Sequence, residues 1–132
     1  MNKNSDDDVE ELIEFKDSMR KRLDNVEEIL NELEYELDTV SSEVTEAYLE
    51  EYDELKNRLE TLRDRFNEAN SLLKEAEILL SDVEAGEPTE ESREEKLEEA
   101  ETILESVDTI LDELENVLEE VEGDIRAFLA EF

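Results

Sequence analysis

The sequence predicts an all-α protein with the architecture of an elongated antiparallel three-helix coiled-coil bundle. Glu and Leu dominate, 44% of the 132 residues are charged, and there are only two glycines and one proline, a composition typical of long helices. Apolar residues recur at alternating intervals of three and four, as in a coiled-coil seam. Disorder is the competing interpretation of so much charge. It is disfavoured because disordered acidic segments lack regularly spaced apolar residues.

The first apolar series predicts a helix over about residues 7–40, preceded by a disordered N-terminal tail over residues 1–6. Its apolar positions follow a seven-residue repeat, which is the spacing needed to keep one side of a helix against a partner. These positions are Met19, Leu23, Val26, Leu30, Leu33, Leu37, Val40 and Val44.

A second series has the same spacing but is out of register with the first. The interval from Val44 to Tyr52 is eight residues, where an unbroken repeat needs seven. Either Ser41 and Ser42 mark a turn between two helices, or one helix continues through a one-residue skip. The lack of Gly or Pro favours continuity. The members of this series are Tyr52, Leu55, Leu59, Leu62, Phe66, Ala69, Leu73, Ala76, Leu80 and Val83.

Burial favours the turn. A continuous helix over residues 7–84 would be ~117 Å long and would leave much of its seam without a partner from the same chain. We therefore predict a turn, with the second helix over about residues 44–84. The alternative is one very long helix through residue 84 with the third helix packed back on it, in an oligomer.

A second boundary lies at Gly86 and Pro88, followed by Thr89 or Ser92 as an N-cap, and predicts a third helix over about residues 90–131. Its seam has no slip, and a flanking apolar row makes the stripe wide enough to lie between two other helices. One bundle over residues 7–132 is expected. The flanking row consists of Ile103, Ile110 and Val117.

The composition also excludes several kinds of chemistry. The chain has no histidine and no cysteine, so Ser-His, Cys-His and thiolate metal sites are excluded. Carboxylate pairs such as Glu98 and Glu101 are the background of an acidic chain. We predict no enzymatic activity, no catalytic residues, no metal and no cofactor.

The net charge of −32 should repel nucleic acids and anionic membrane surfaces, so neither is an expected direct partner. A protein, particularly a basic one, is the expected partner, and homo-oligomerisation stays open. The first thirty residues lack a signal-peptide pattern, and no apolar run approaches a membrane span. A cytoplasmic location is expected.

Eight of the 13 bases form two groups that a turn near residue 42 should bring to one height, giving a basic belt. The simpler interpretation is that neighbouring acids of the bundle neutralise these bases. The more specific interpretation is that the band docks a partner. The belt comprises Lys16, Arg20, Lys21, Arg22, Lys56, Arg58, Arg63 and Arg65.

An apolar cluster should form at the turn end, because the first and third helices are predicted to run parallel. It would either close the bundle as a hydrophobic plug or, where exposed, contact another protein. Its members are Tyr48, Tyr52, Phe128, Leu129 and Phe132.

Two functions are therefore predicted. The first is a non-catalytic coiled-coil module for protein interaction or assembly. The alternative is a nucleic-acid mimic, because −32 charges along ~60 Å approach the charge density of DNA. The acidity is also compatible with solubility in concentrated salt, which would suit either function.

Overall fold

Three long helices pack against one another in a computed structural model of the chain. The structure describes the backbone of residues 2–132 and the side chains of residues 7–132. Helix α1 comprises Asn2–Thr39, α2 comprises Glu46–Ala85 and α3 comprises Glu90–Leu129. Each pair of helices is in contact, and no strand occurs within residues 2–132. The predicted all-α three-helix bundle is thus confirmed.

A disordered tail is expected over residues 1–6. The side chains of these residues lie outside the described part of the chain, so the tail stays a prediction.

Cross-helix contacts fix the relative directions of the three helices. Arg63 of α2 reaches Asn31 of α1, whereas Arg20 reaches Asn70, so α1 and α2 are antiparallel. The three helices run up, down and up, and α1 is parallel to α3.

The slip between the first two seams coincides with a reversal of direction, which lies just before Val44. A short 3₁₀ turn, Ser41–Glu43, links α1 to α2, and the Glu43 N–H donates to the Val40 carbonyl at 2.9 Å. The Ser41 hydroxyl donates to the Asp38 carbonyl at 2.6 Å. Thr39 donates similarly to the Tyr35 carbonyl at 2.7 Å. Hydroxyl groups thus satisfy carbonyls at the helix end, which allows this turn without Gly or Pro.

The second connection uses glycine, proline and a capping threonine. Gly86 has φ of +105°, a backbone conformation that residues with a side chain rarely adopt. Its N–H donates to the Val83 carbonyl at 3.2 Å. The Thr89 hydroxyl accepts the Ser92 N–H at 3.0 Å, so Thr89 rather than Ser92 is the N-cap of α3.

The core is a continuous apolar column formed by the seam positions of all three helices. Leu33, Leu73 and Leu104 are completely buried, and among residues 7–132 no polar or charged residue is buried as a whole. The flanking row of α3 is only partly buried, since Ile110 is buried but Val117 is 43% exposed. Burial of this column supplies the main driving force for folding.

Candidate functional site

The turn end of the bundle carries a cluster of four aromatic rings, which we call the aromatic end. The rings of Tyr48 and Phe132 lie 5.3 Å apart, and those of Phe128 and Phe132 lie 5.1 Å apart. Tyr52 also contacts Phe128, at 6.4 Å. These centroid distances and the tilted or edge-on angles are those of favourable aromatic pairs. The structure thus brings all four predicted rings together, with Leu129 packed against the core beside them.

Burial divides the aromatic end into an inner and an outer part. Phe128 is 1% exposed and Tyr52 is 7% exposed, so these two rings close the core. Phe132 is 42% exposed and Tyr48 is half-buried. Leu49, which the sequence did not single out, is 48% exposed one residue after Tyr48. The outer part is therefore an accessible apolar surface on a strongly charged protein.

The two basic groups are centred at different heights of the bundle. Arg20 contacts Asn70 and Glu77 of α2, whereas Arg63 contacts Asn31 and Glu34 of α1. The partners of Arg20 lie about 13 residues along α2 from the middle of the second group, and those of Arg63 lie about as far along α1 from the middle of the first. The centres of the two groups are therefore about 20 Å apart along the bundle. Their inner members nevertheless converge on one stretch of α3, since Arg22 binds Glu115 and Arg65 binds Glu113. The belt as a partner-docking band stays a prediction.

Arginines tie each pair of helices together. Arg20 makes a two-point bond to Glu77, with distances of 2.7 and 3.2 Å, and so joins α1 to α2. Arg58 donates to Asp124 at 2.7 Å and Arg65 donates to Glu113 at 2.7 Å, so both join α2 to α3. Hydrogen bonding to Glu113 and Glu68 raises the pKa of Arg65.

Arg22 is at the centre of the largest of these networks. Its guanidinium donates to Asp108 at 2.7 Å, to Asp112 at 2.8 Å and to Glu115 at 2.6 Å. The hydrogen bond to Glu115 is the main reason that the pKa of Arg22 is raised, while partial burial opposes the shift. A guanidinium this strongly held stays protonated and serves as a cross-link between helices.

The lysines of the predicted belt are more loosely placed. Lys16 pairs with its neighbour Asp17 at 3.0 Å, and Lys56 lies 5.7 Å from the centre of the Tyr52 ring. Lys21 makes no ion pair with the residues that the structure describes. Only the arginines of the two groups therefore link helices.

Two further ion-pair groups were not anticipated, because a single sequence does not show which distant charges meet. Lys96 of α3 pairs with Glu87, whose side chain is only 8% exposed, and with Asp82 at 3.5 Å. Hydrogen bonding to Glu87 raises the pKa of Lys96. Arg126 approaches Glu36 at 3.3 Å, and attraction to that carboxylate raises the pKa of Arg126.

The described side chains do not assemble a metal centre. No cluster of three or more acidic side chains with metal-binding geometry occurs within residues 7–132. No helix over the described range is both long enough and apolar enough to cross a membrane.

Comparison with protein families, curated proteins and solved structures finds nothing that matches this chain.

Proposed function

We propose that this chain is a non-catalytic, acidic helical module of the cytoplasm that binds another protein. The observation that carries the proposal is the accessible apolar surface at the aromatic end. Phe132, Leu49 and the half-buried Tyr48 face solvent there on a protein in which 44% of residues are charged.

Physical chemistry supports a protein partner for this surface. Exposed aromatic groups contribute strongly to protein interfaces, because they bury a large area and lose little side-chain entropy. The buried ring of Phe128 contacts both Tyr48 and Phe132, so part of the ordering cost is met before binding. The net charge of −32 would favour association with a basic protein.

Site-specific photo-crosslinking tests this function. A photoreactive phenylalanine analogue is placed at Phe132, and a matched control carries it at Ile78, which is 61% exposed on α2 away from the aromatic end. In an extract at physiological salt, we expect a discrete adduct with one protein from position 132 and none from position 78. If both positions gave the same crosslinked products, or if neither gave any, the aromatic end would not be the contact surface. An adduct of twice the chain's own mass would identify homo-oligomerisation.

A nucleic-acid mimic is the second candidate, and the placement of the arginines favours it. Arg20, Arg22 and Arg65 are each bonded to acids, so they interrupt the negative field less than free bases would. Helices of 40 residues are ~60 Å long, which spaces the net charges by roughly 1.9 Å, against ~1.7 Å in duplex DNA.

Competition with duplex DNA distinguishes the mimic from the interaction module. A mimic should displace labelled DNA from a basic DNA-binding protein at low salt, and the displacement should weaken steeply as salt rises. If a panel of such proteins keeps its DNA at low salt, the mimic is excluded. The crosslinking result would still stand.

A further inference from the structure

A second surface of a different kind lies at the other end of the bundle. It is a groove of about 870 Å³ between α1 and α3, which we call the acidic groove. Its floor is apolar and consists of Leu12, Phe15 and Leu97. Leu12 and Leu97 belong to the core, and Phe15 is half-buried, so the floor is continuous with the hydrophobic interior.

The walls of the groove are negative. Of the ten described residues that line it, seven carry a carboxylate and none is basic. On the α3 wall they recur from Glu90 through Glu94, Glu98 and Glu101 to Glu105. Four steps over 15 residues average 3.75 residues, so successive carboxylates stand ~5.6 Å apart along one line.

We propose that the acidic groove docks a basic amphipathic α-helix supplied by a partner protein. This goes beyond the interaction surface at the aromatic end, and neither surface depends on the other.

A helical ligand fits the periodicity of the wall. An α-helix rises 5.4 Å per turn, so a helix lying along the groove can present one Lys or Arg per turn to each successive carboxylate. From Glu90 to Glu105 the wall extends ~22 Å, which matches about four turns. The apolar side of the same helix would cover Leu12, Phe15 and Leu97, as a fourth helix does in a bundle.

Charge complementarity sets the sign of the partner. A second copy of this chain would bring another −32 charges to a wall that is already negative, so self-association in this groove is disfavoured. A cationic helix relieves the mutual repulsion of the carboxylates as it binds. Its long basic side chains also add apolar contact through their methylene groups.

A designed peptide provides the test. The probe is an 18-residue helix with leucines on one side, lysines elsewhere and one tryptophan, whose fluorescence is distinct because this chain has no tryptophan. A second peptide has the same composition in an order that gives no apolar side. We expect saturable 1:1 binding of the amphipathic peptide to the full chain at 0.15 M salt, and at least about tenfold weaker binding of the scrambled one.

Matched variants locate the binding. Replacing Glu94, Glu98 and Glu101 together by Gln removes three wall charges, and replacing three exposed acids outside the groove removes the same charge elsewhere on α3. We expect the groove variant to bind about tenfold more weakly and the control less than threefold more weakly. The control positions are Glu95, Glu99 and Glu120.

Several outcomes would overturn the proposal. Equal losses in the two variants, or equal binding of the two peptides, would mean that charge alone attracts the ligand. Self-association that the groove variant abolishes would mean that a second copy occupies the groove.

Hydrogen exchange on the wild-type complex locates the bound peptide without any variant. Protection is expected at residues 8–15 and 90–105, and protection elsewhere would contradict the site. Crosslinking from position 132 should be unchanged in the groove variant, which separates this result from the proposed function.

Discussion

Arg22 and Glu115 form a two-point ion pair that joins α1 to α3. The Nη2 and Nε atoms of Arg22 lie 2.6 and 3.2 Å from the two carboxylate oxygens of Glu115. Asp108 and Asp112 bind the same guanidinium, so acids on successive turns of α3 converge on one base. This network fixes the register of the two parallel helices, which the seven-residue spacing of the seam alone specifies only weakly.

Removing Arg22 should therefore destabilise the fold. In Arg22→Gln, the carboxylates of Asp108, Asp112 and Glu115 lose their shared cation and repel one another. We expect the free energy of unfolding to fall by about 1–2 kcal/mol. Urea denaturation is the appropriate measurement because urea is uncharged and leaves ion pairs unscreened. Lys21→Gln removes the same charge from an exposed neighbour that has no described ion pair, and it should cost less. Equal losses would show that net charge, and not the network, controls stability.

The two glycines should respond in opposite directions to replacement by alanine. Gly86 has φ of +105°, so Gly86→Ala should destabilise the protein by about 1–3 kcal/mol even though space for a methyl group is available. Gly123 lies inside α3, and an added Cβ meets nothing within 4 Å. Gly123→Ala should therefore stabilise the helix by up to about 1 kcal/mol. Thermal unfolding of both variants shows whether each is more or less stable than the wild type. A more stable Gly86→Ala would contradict the strained turn.

Phe128 and Phe132 separate the structural part of the aromatic end from its accessible part. Phe128→Ala empties a site that is 1% exposed and should cost about 3–5 kcal/mol of unfolding free energy. Phe132→Ala removes a ring that is 42% exposed and should cost no more than about 1 kcal/mol. Chemical denaturation followed by circular dichroism compares them. A large loss from Phe132→Ala would assign the whole cluster to closing the core.

The bundle could be predicted from the sequence because the seam spacing carries the information. Leu30, Leu33 and Leu37 recur at the period that keeps one side of α1 inward, and all three are buried. The slip between Val44 and Tyr52 likewise indicated a break in the repeat, and the chain reverses close by, at Ser41–Glu43. Local periodicity is sufficient for the seams and the break, whereas the preference for a turn over a continuous helix came from the need to bury the seam.

The surfaces were less predictable because they depend on which residues meet across helices. The offset that places Arg20 near Glu77 is a tertiary property, so spacing along the chain did not define the height of each basic group. The acidic groove combines Phe15 of α1 with Glu98 of α3, and no pattern within either helix indicates that contact. The aromatic end was predictable, since Tyr48 follows the reversal and Phe128 lies where the parallel helix α3 ends.

Salt should stabilise this protein. With a net charge of −32, repulsion between acids raises the free energy of the compact state. At 0.1 M salt, the repulsion between exposed charges more than ~10 Å apart is largely screened. We expect the melting temperature to rise between low salt and 0.5 M NaCl, despite the weakening of the ion pairs. Circular dichroism at constant pH measures it. A flat or falling melting temperature would mean that the cross-helix pairs outweigh the overall repulsion.

The Lys96 and Glu87 pair should make stability depend on pH in the alkaline range. Hydrogen bonding to Glu87 raises the folded-state pKa of Lys96, so the folded protein holds this proton more tightly than the unfolded chain does. Its stabilising effect is complete below the pKa of an unfolded lysine, about 10.4, and is lost as pH rises through the higher folded value. The melting temperature of the wild type should exceed that of Lys96→Gln at pH 9, and the difference should shrink as pH rises above that range. Lys74→Gln, at an exposed lysine with no described ion pair, should give a smaller difference at pH 9. A gap between wild type and Lys96→Gln that widened with rising pH would reverse the sign of the linkage and contradict the pairing.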